Sequence, residues 1–264
     1  KHPHPTVSEL TERLGCESPK LADLALAEAV EEAGGSLLLH TWCAKAVLDG
    51  IRVCGVQVLN KQGLCDIPAR IVIDATGDGD VAASAGVPFE QGREQDGLTQ
   101  PMSIMFEIGG VDAEAFTCGS EEEAATLTLP DDNRTWHDIV MRGHDIGDLP
   151  PEVGIIRIYE SRAPGRRVIN ATQVNKVNGL LASDLTRGEI VGRQQARAVT
   201  AFLRRRAPGY QNCYIAEMPA AVGVRESRRF RAMIHVTLGM LASGERRDDA
   251  VVREVCLPID VHNP

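Results

Sequence analysis

The sequence predicts an α/β fold continued by a mixed α+β region, and three observations carry that prediction. Turn signals at Asp49-Gly50 and Lys61-Gln62-Gly63 divide a stretch of short apolar runs into an antiparallel meander. The continuous apolar run Ile71-Val72-Ile73 flows into the glycine turn Thr76-Gly77-Asp78-Gly79-Asp80, the pattern of a strand buried on both faces of a sheet. A long helical pattern from Ser183 or Asp184 to about Arg206 then separates further strand-like segments.

The elements follow in order. Ser18-Pro19 reads as an N-cap and first helical position, Leu21, Leu24, Ala25 and Val30 as the apolar stripe, and Gly34-Gly35 as the stop. Residues 36–43 read as an apolar strand. Residues 44–48 and 52–59 flank the first turn, and 64–68 form the last strand of the meander. The run 70–75 delivers the glycine turn, and 81–85 makes a short helix ended by Gly86-Val87-Pro88. Residues 102–108 predict a strand closed by Gly109-Gly110. The stretch 121–151 reads as helical fragments and loops, followed by strands near 155–159 and 167–171. After the long helix, broken by Pro208-Gly209, residues 214–218 and 230–236 are strand candidates.

Bulk properties narrow the class. With 264 residues, 43% hydrophobic and 25% charged, the chain is long enough for one large or two modest domains. Aromatic residues are 4%, so the core is expected to rest on Val, Leu, Ile and Ala. A net charge of -9 argues against nucleic acid as a partner. The 7 cysteines are scattered without a Cys-x-x-Cys pair, as in a cytoplasmic protein with reduced thiols, and no His or Cys spacing suggests a metal site. No apolar run is long enough to span a membrane.

The glycine turn has three readings. Glycines at the carboxyl end of a buried strand let a backbone approach a ligand; a tight turn with no ligand uses the same residues. Taken literally, Gly77-Asp78-Gly79-Asp80-Val81-Ala82 is Gly-x-Gly-x-x-Ala, a dinucleotide fingerprint. Its context is poor: the following helix is short, Glu107 is late for a ribose partner, and two aspartates would crowd a pyrophosphate. A methyltransferase-type turn would want glycine where Thr76 stands.

Ile-Asp-Ala-Thr-Gly-Asp-Gly-Asp-Val-Ala-Ala at 73–83, with a meander before it, resembles the interior flavin motif of the FAD-dependent oxidoreductase family of the glutathione-reductase-like flavoproteins. Gly97-Leu98-Thr99-Gln100-Pro101, Gly109-Gly110-Val111-Asp112, Asp184-Leu185-Thr186-Arg187-Gly188-Glu189, Gly192-Arg193-Gln194 and Ala207-Pro208-Gly209-Tyr210 stand where the family carries similar runs. So do Val222-Gly223-Val224-Arg225-Glu226-Ser227-Arg228-Arg229 and Pro258-Ile259-Asp260-Val261-His262. The resemblance implies a partial Rossmann-like FAD-binding domain with an antiparallel β-meander over 1–97. It further implies a mixed α+β substrate domain over 98–218 and a return segment over 219–264. The family's opening Gly-x-Gly-x-x-Gly unit and closing flavin motif are not matched, so a central portion of a longer enzyme is expected. After Thr237, Leu238-Gly239-Met240 stands where the family carries acidic residues.

The resemblance implies FAD as cofactor, contacted by Trp42, Cys43, Ala75, Thr76, Gly77, Asp78 and Gly79, and a small-molecule substrate that exchanges a hydride with the flavin. Arg225 is the candidate catalytic residue, as a clamp for a substrate carboxylate or a partner for charge on reduced flavin. In an extended strand Arg225, Ser227, Arg229 and Arg231 would share a face, and surface arginines paired with Glu226 are the plainer alternative. Arg204-Arg205-Arg206 suits a helix carboxyl end. His137 and His144 are possible proton carriers or simply exposed, His235 a core histidine of its strand, and Asp78 and Asp80 ribose contacts or, for Asp78, a helix cap. The competing expectation is a binding module without a cofactor.

Overall fold

The computed structural model describes residues 22–130, 133–246, 248 and 261–262. The chain divides into two compact units, residues 1–87 and 88–264. All sheets among the described residues are antiparallel.

The first unit begins with helix α1 (Ala22–Glu32). Gly34, at φ 78°, ends it: the N–H of Gly35 reaches Val30 O at 2.9 Å and that of Gly34 reaches Glu31 O at 2.9 Å, the paired bonds of a Schellman stop. Ala25 is buried while Leu24 and Val30 stay exposed, so the described part of the expected stripe is covered only in part; Ser18-Pro19 and Leu21 lie outside the described residues. The expected strand at 36–43 starts late, and Leu37, Leu38 and Leu39 are exposed.

The meander is β1 (Trp42–Asp49), β2 (Arg52–Asn60) and β3 (Gly63–Pro68), in that spatial order. Asp49 pairs with Arg52 around a Gly50-Ile51 loop in which Gly50 alone takes positive φ, 60°. The second loop closes with Asn60 opposite Gly63, and Asn60 Oδ1 accepts the Gln62 N–H at 2.9 Å. Helix α2 (Asp80–Ser84) packs on β1, where the Ser84 hydroxyl accepts the Ala46 N–H at 2.8 Å.

The run 71–75 departs from expectation. It forms no strand and pairs with none among the described residues, and Ile71 and Ile73 are 82% and 86% exposed. A strand is buried on both faces only when neighbours flank it and layers cover it; neither is provided by the described residues. The helix after the turn has only five residues, and Glu107 is held by Arg166 at 2.9 Å and by the Ser161 hydroxyl. Neither suits the literal Gly-x-Gly-x-x-Ala fingerprint.

The second unit is built on a four-stranded sheet ordered β6-β7-β5-β8. Its strands are β5 (Met105–Gly109), β6 (Arg157–Glu160), β7 (Arg167–Asn170) and β8 (Tyr214–Glu217). A two-stranded ribbon joins β4 (Phe89–Glu90) to β9 (Arg229–Phe230). Short helices α3 (Glu121–Thr126) and α4 (Trp136–Asp145) precede β6, and the long helix α5 (Ala182–Arg206) crosses from β7 to β8. Alternation assigns the faces. Phe106, Ile108, Ile158 and Ile169 point into the core with Ala196, Val199, Phe202 and Leu203 of α5.

Gly188 and Gly192 let α5 lie close to the 102–104 segment. A Cβ at either would stand 2.8 Å from Met102 Sδ or Ile104 Cδ1. The scarce aromatics concentrate here too: Phe116 meets Trp136 and Tyr210 edge-on, and Trp136 meets Phe202. The core therefore does not rest on aliphatic residues alone. The expected strand at 230–236 stops at Phe230, and His235 is exposed rather than a core histidine. A last short helix, α6 (Leu238–Ser243), is capped by the Thr237 hydroxyl.

Candidate functional site

In the first unit, Asp74 organises the glycine turn. Its Oδ1 accepts the Thr76 N–H at 3.1 Å and the Thr76 hydroxyl at 2.7 Å, and its Oδ2 accepts the Ala82 N–H at 2.8 Å. The Thr76 hydroxyl oxygen accepts the Asp80 N–H at 2.8 Å. Desolvation pushes the Asp74 carboxyl up, but the bonds from Ala82 and Thr76 outweigh it and hold the group below the usual carboxylate range. These bonds also cap α2, whose N-cap residue, Gly79, has no side chain. Asp74 escaped the sequence reading, although an acid two residues before a Thr-Gly turn is the spacing of an Asx turn.

Gly77 and Gly79 take φ 87° and 67°, conformations that L side chains rarely adopt. The space beside Gly77 is open, since a Cβ there would meet nothing within 4 Å. Ala75, Thr76 and Gly77 are exposed, Asp78 and Gly79 half-buried. Trp42 is 74% exposed. Cys43 is half-buried, and burial first, then the charges of Asp74 and Asp80, raise its thiol above the ordinary value, so it stays protonated at neutral pH. The turn, Cys43 and Asp74 thus form one neighbourhood with exposed backbone and a neutral thiol. That donor set fits an edge contact to an elongated cofactor, where backbone N–H groups and an aromatic face meet a ligand from one side.

The second unit contains a cavity of about 340 Å³. Arg157 and Asn170 stand opposite each other on β6 and β7, on the sheet face away from Ile158 and Ile169. His137 and Met141, one helical turn apart on α4, supply a second wall, and Thr135 fixes that helix with a capping box. Ser103 and Arg225 line it from adjoining segments, brought together by the bridge between Ser103 and Gly223. Gln173 lies on the rim loop, which Gln195 ties to α5 through two bonds of 2.8 Å to the Gln173 backbone. Glu121 and His262 complete the polar lining. Of these, only Arg225 and His137 were singled out by the sequence. Arg157 could have been found: it sits between buried Ile156 and Ile158, so alternation aims it at the opposite face.

The arginine run separates into different tasks. Arg229 pairs with Glu226 and donates to Gly92 O, Arg231 lies 3.5 Å from Glu90, and the Arg228 guanidinium stacks 5.4 Å from the Phe89 ring centroid. Ser227 is buried. These residues hold the ribbon, while Arg225 lines the cavity. Arg205 and Arg206 pair with Asp148 at the end of α5, and His144 is half-buried. The described cysteines, Cys43, Cys54, Cys65, Cys118 and Cys213, are all free, and no cluster of His, Cys, Asp or Glu among the described residues could hold a metal ion. No helix among them is long and apolar enough to cross a membrane. Of the 258–262 segment, only Val261 and His262 lie within the described residues.

The model of the FAD dependent oxidoreductase family matches residues 2–264. The chain belongs to that family. By its description, that family comprises FAD-dependent oxidoreductases. Among solved structures, the chain is similar to the L-proline dehydrogenase from P. horikoshii at 14% identity, with a TM-score of 0.37. The match covers 81% of this chain and 44% of that one, so the chain spans less than half of the neighbour's length. A likeness this distant carries nothing about substrate. No curated protein matches.

Proposed function

We propose that this FAD-dependent oxidoreductase passes a hydride between a small organic substrate and the flavin, with the cavity of the second unit as the substrate site. The observation that carries the reading is the position of Arg225. The family resemblance implied it as the candidate catalytic residue, and it lines a cavity large enough for a small ligand and mixed in polarity. On this reading residues 1–97 form the partial Rossmann-like FAD-binding domain, 98–218 the substrate domain and 219–264 the return segment. The protein works in the cytoplasm, without nucleic acid or membrane as partners.

FAD, when bound, supplies the hydride acceptor. Trp42, Cys43 and the 75–79 turn would border it, the turn in the shape that Asp74 and Thr76 hold. Its exposed residues cost little to bring against a ligand because the turn is already formed. Arg225 orients the substrate and offers a fixed positive charge where negative charge develops on hydride transfer. Met141 and Ile155 supply apolar surface for the carbon skeleton.

The test is anaerobic reduction of the bound flavin by whichever substrate bleaches the wild-type protein. Arg225→Ala should slow the reduction step by about tenfold, the loss of one charge-assisted contact. A rate equal to wild type removes Arg225 from the reaction.

A further inference from the structure

We propose that the cavity of the second unit is built for a small carboxylate, whose anionic head is taken jointly by Arg157 and Arg225. This rests on reading that cavity as the substrate site. The two guanidinium groups enter from different elements, β6 and the segment after the Ser103–Gly223 bridge. Among the described residues Glu121 is the one carboxylate in the lining, and it is exposed.

Arg157 differs from seven arginines of this unit. Arg93, Arg166, Arg193, Arg205, Arg206, Arg229 and Arg231 each have a carboxylate of the chain in ion-pair contact. Among the described residues no carboxylate lies in such contact with half-buried Arg157. Its charge is felt by Glu122 only as the last of the influences on that group, after a backbone hydrogen bond and the Ser120 hydroxyl. A half-buried guanidinium with no carboxylate of the chain in contact keeps its fork open to a ligand anion.

The rest of the lining says what the anion carries. The Thr172 hydroxyl is spent on Ile104, accepting its N–H at 2.6 Å and donating to its carbonyl at 2.9 Å. Asn170 faces the cavity beside Arg157, while Met141 and Ile155 offer apolar surface. Such a site suits a charged head on a short carbon chain. Carboxylate is favoured over phosphate because phosphate sites gather converging backbone N–H groups. Here the amino end of α4 is already satisfied by its own capping box, and the cations are planar guanidinium forks that match a carboxylate edge to edge.

The experiment is calorimetric titration of the full-length protein with acetate, succinate and glutarate at constant ionic strength. The corresponding amides and inorganic phosphate are the controls. At least one carboxylate should bind saturably, its amide should not, and phosphate should bind at least tenfold more weakly. Arg225→Gln and Arg157→Lys should each weaken carboxylate binding by about tenfold or more; the lysine variant keeps the charge and the packing, so a loss there reports the fork. Binding that survives both changes overturns the proposal, as does an amide or phosphate bound as tightly, or no carboxylate bound at all. The flavin reading fails separately. A protein that takes up no FAD yet binds a carboxylate through both arginines would overturn the redox role and support this site. A protein whose flavin is reduced while the carboxylates are ignored would do the reverse.

Discussion

The two units hold their shape by different means. The second buries Trp136, Tyr210, Phe106 and Phe202 completely against a sheet and a long helix. The first, over its described residues, buries only Ala25, Ala46, Val58 and Val81 among its apolar side chains, and leaves Trp42, Ile71 and Ile73 largely exposed. Its glycine turn is fixed instead by a carboxylate that gathers three donors. Packing distributes the cost of a change over many contacts, whereas a hydrogen-bonded clasp concentrates it on a few atoms. The contrast matters for function, because a turn of exposed residues can meet a ligand and a close-packed core cannot.

The largest effect is expected where packing dominates. Trp136→Ala removes a fully buried ring and its Nε1–H bond to Ile156 O at 3.1 Å. It should cost about 3–5 kcal/mol in denaturant unfolding. Gly192→Val comes next: its branched side chain must enter space already held by Ile104, and about 1–3 kcal/mol should be lost. If either variant unfolds at the wild-type midpoint, the second unit is not the packed core described.

Asp74→Ala should act locally, costing about 1–3 kcal/mol through the stranded donors and exposing the Ala82 amide to hydrogen exchange while the amides of α5 keep their protection. Acid offers the same test without mutation. Because the folded Asp74 carboxyl lies below the usual range, its stabilisation is complete above the unfolded value of about 3.9 and disappears as pH falls through the folded value. The Ala82 amide resonance should therefore shift only in that acidic window. A shift centred near neutral pH would contradict the clasp.

The smallest effect belongs to Ile73→Ser, at a side chain 86% exposed. Within about 0.5 kcal/mol, stability should not change. A loss of several times that amount would show that this face is covered in solution, and would erase much of the contrast between the units.

What the sequence made legible was local. Gly34-Gly35, Asp49-Gly50 and Gly63 announce their turns because each needs a conformation glycine adopts freely, and α5 is long enough for its period to stand out. The run 71–75 misled because three apolar residues look alike whether or not neighbours flank them; pairing is a property of other segments. The expected strand over 230–236 failed similarly, its apolar residues being left in water. The cavity was the least legible feature, since Arg157, Asn170, His137 and Arg225 come from segments far apart in sequence and meet only through the sheet and the Ser103–Gly223 bridge. Arg225 was accessible only through a resemblance, and its neighbours Arg228 and Arg229 show why composition was not enough: similar residues in one run stack on Phe89 or pair with Glu226 instead.

The central claim, a flavin enzyme whose 75–79 turn touches its cofactor, is tested most directly by adding FAD to the purified protein, removing the excess and recording the visible absorbance. Wild type should retain FAD in a one-to-one complex, and Gly77→Val, which forces a branched side chain onto a φ of 87°, should retain about tenfold less at equal concentration. Flavin that washes away from the wild-type protein, or that Gly77→Val holds equally well, would contradict the account.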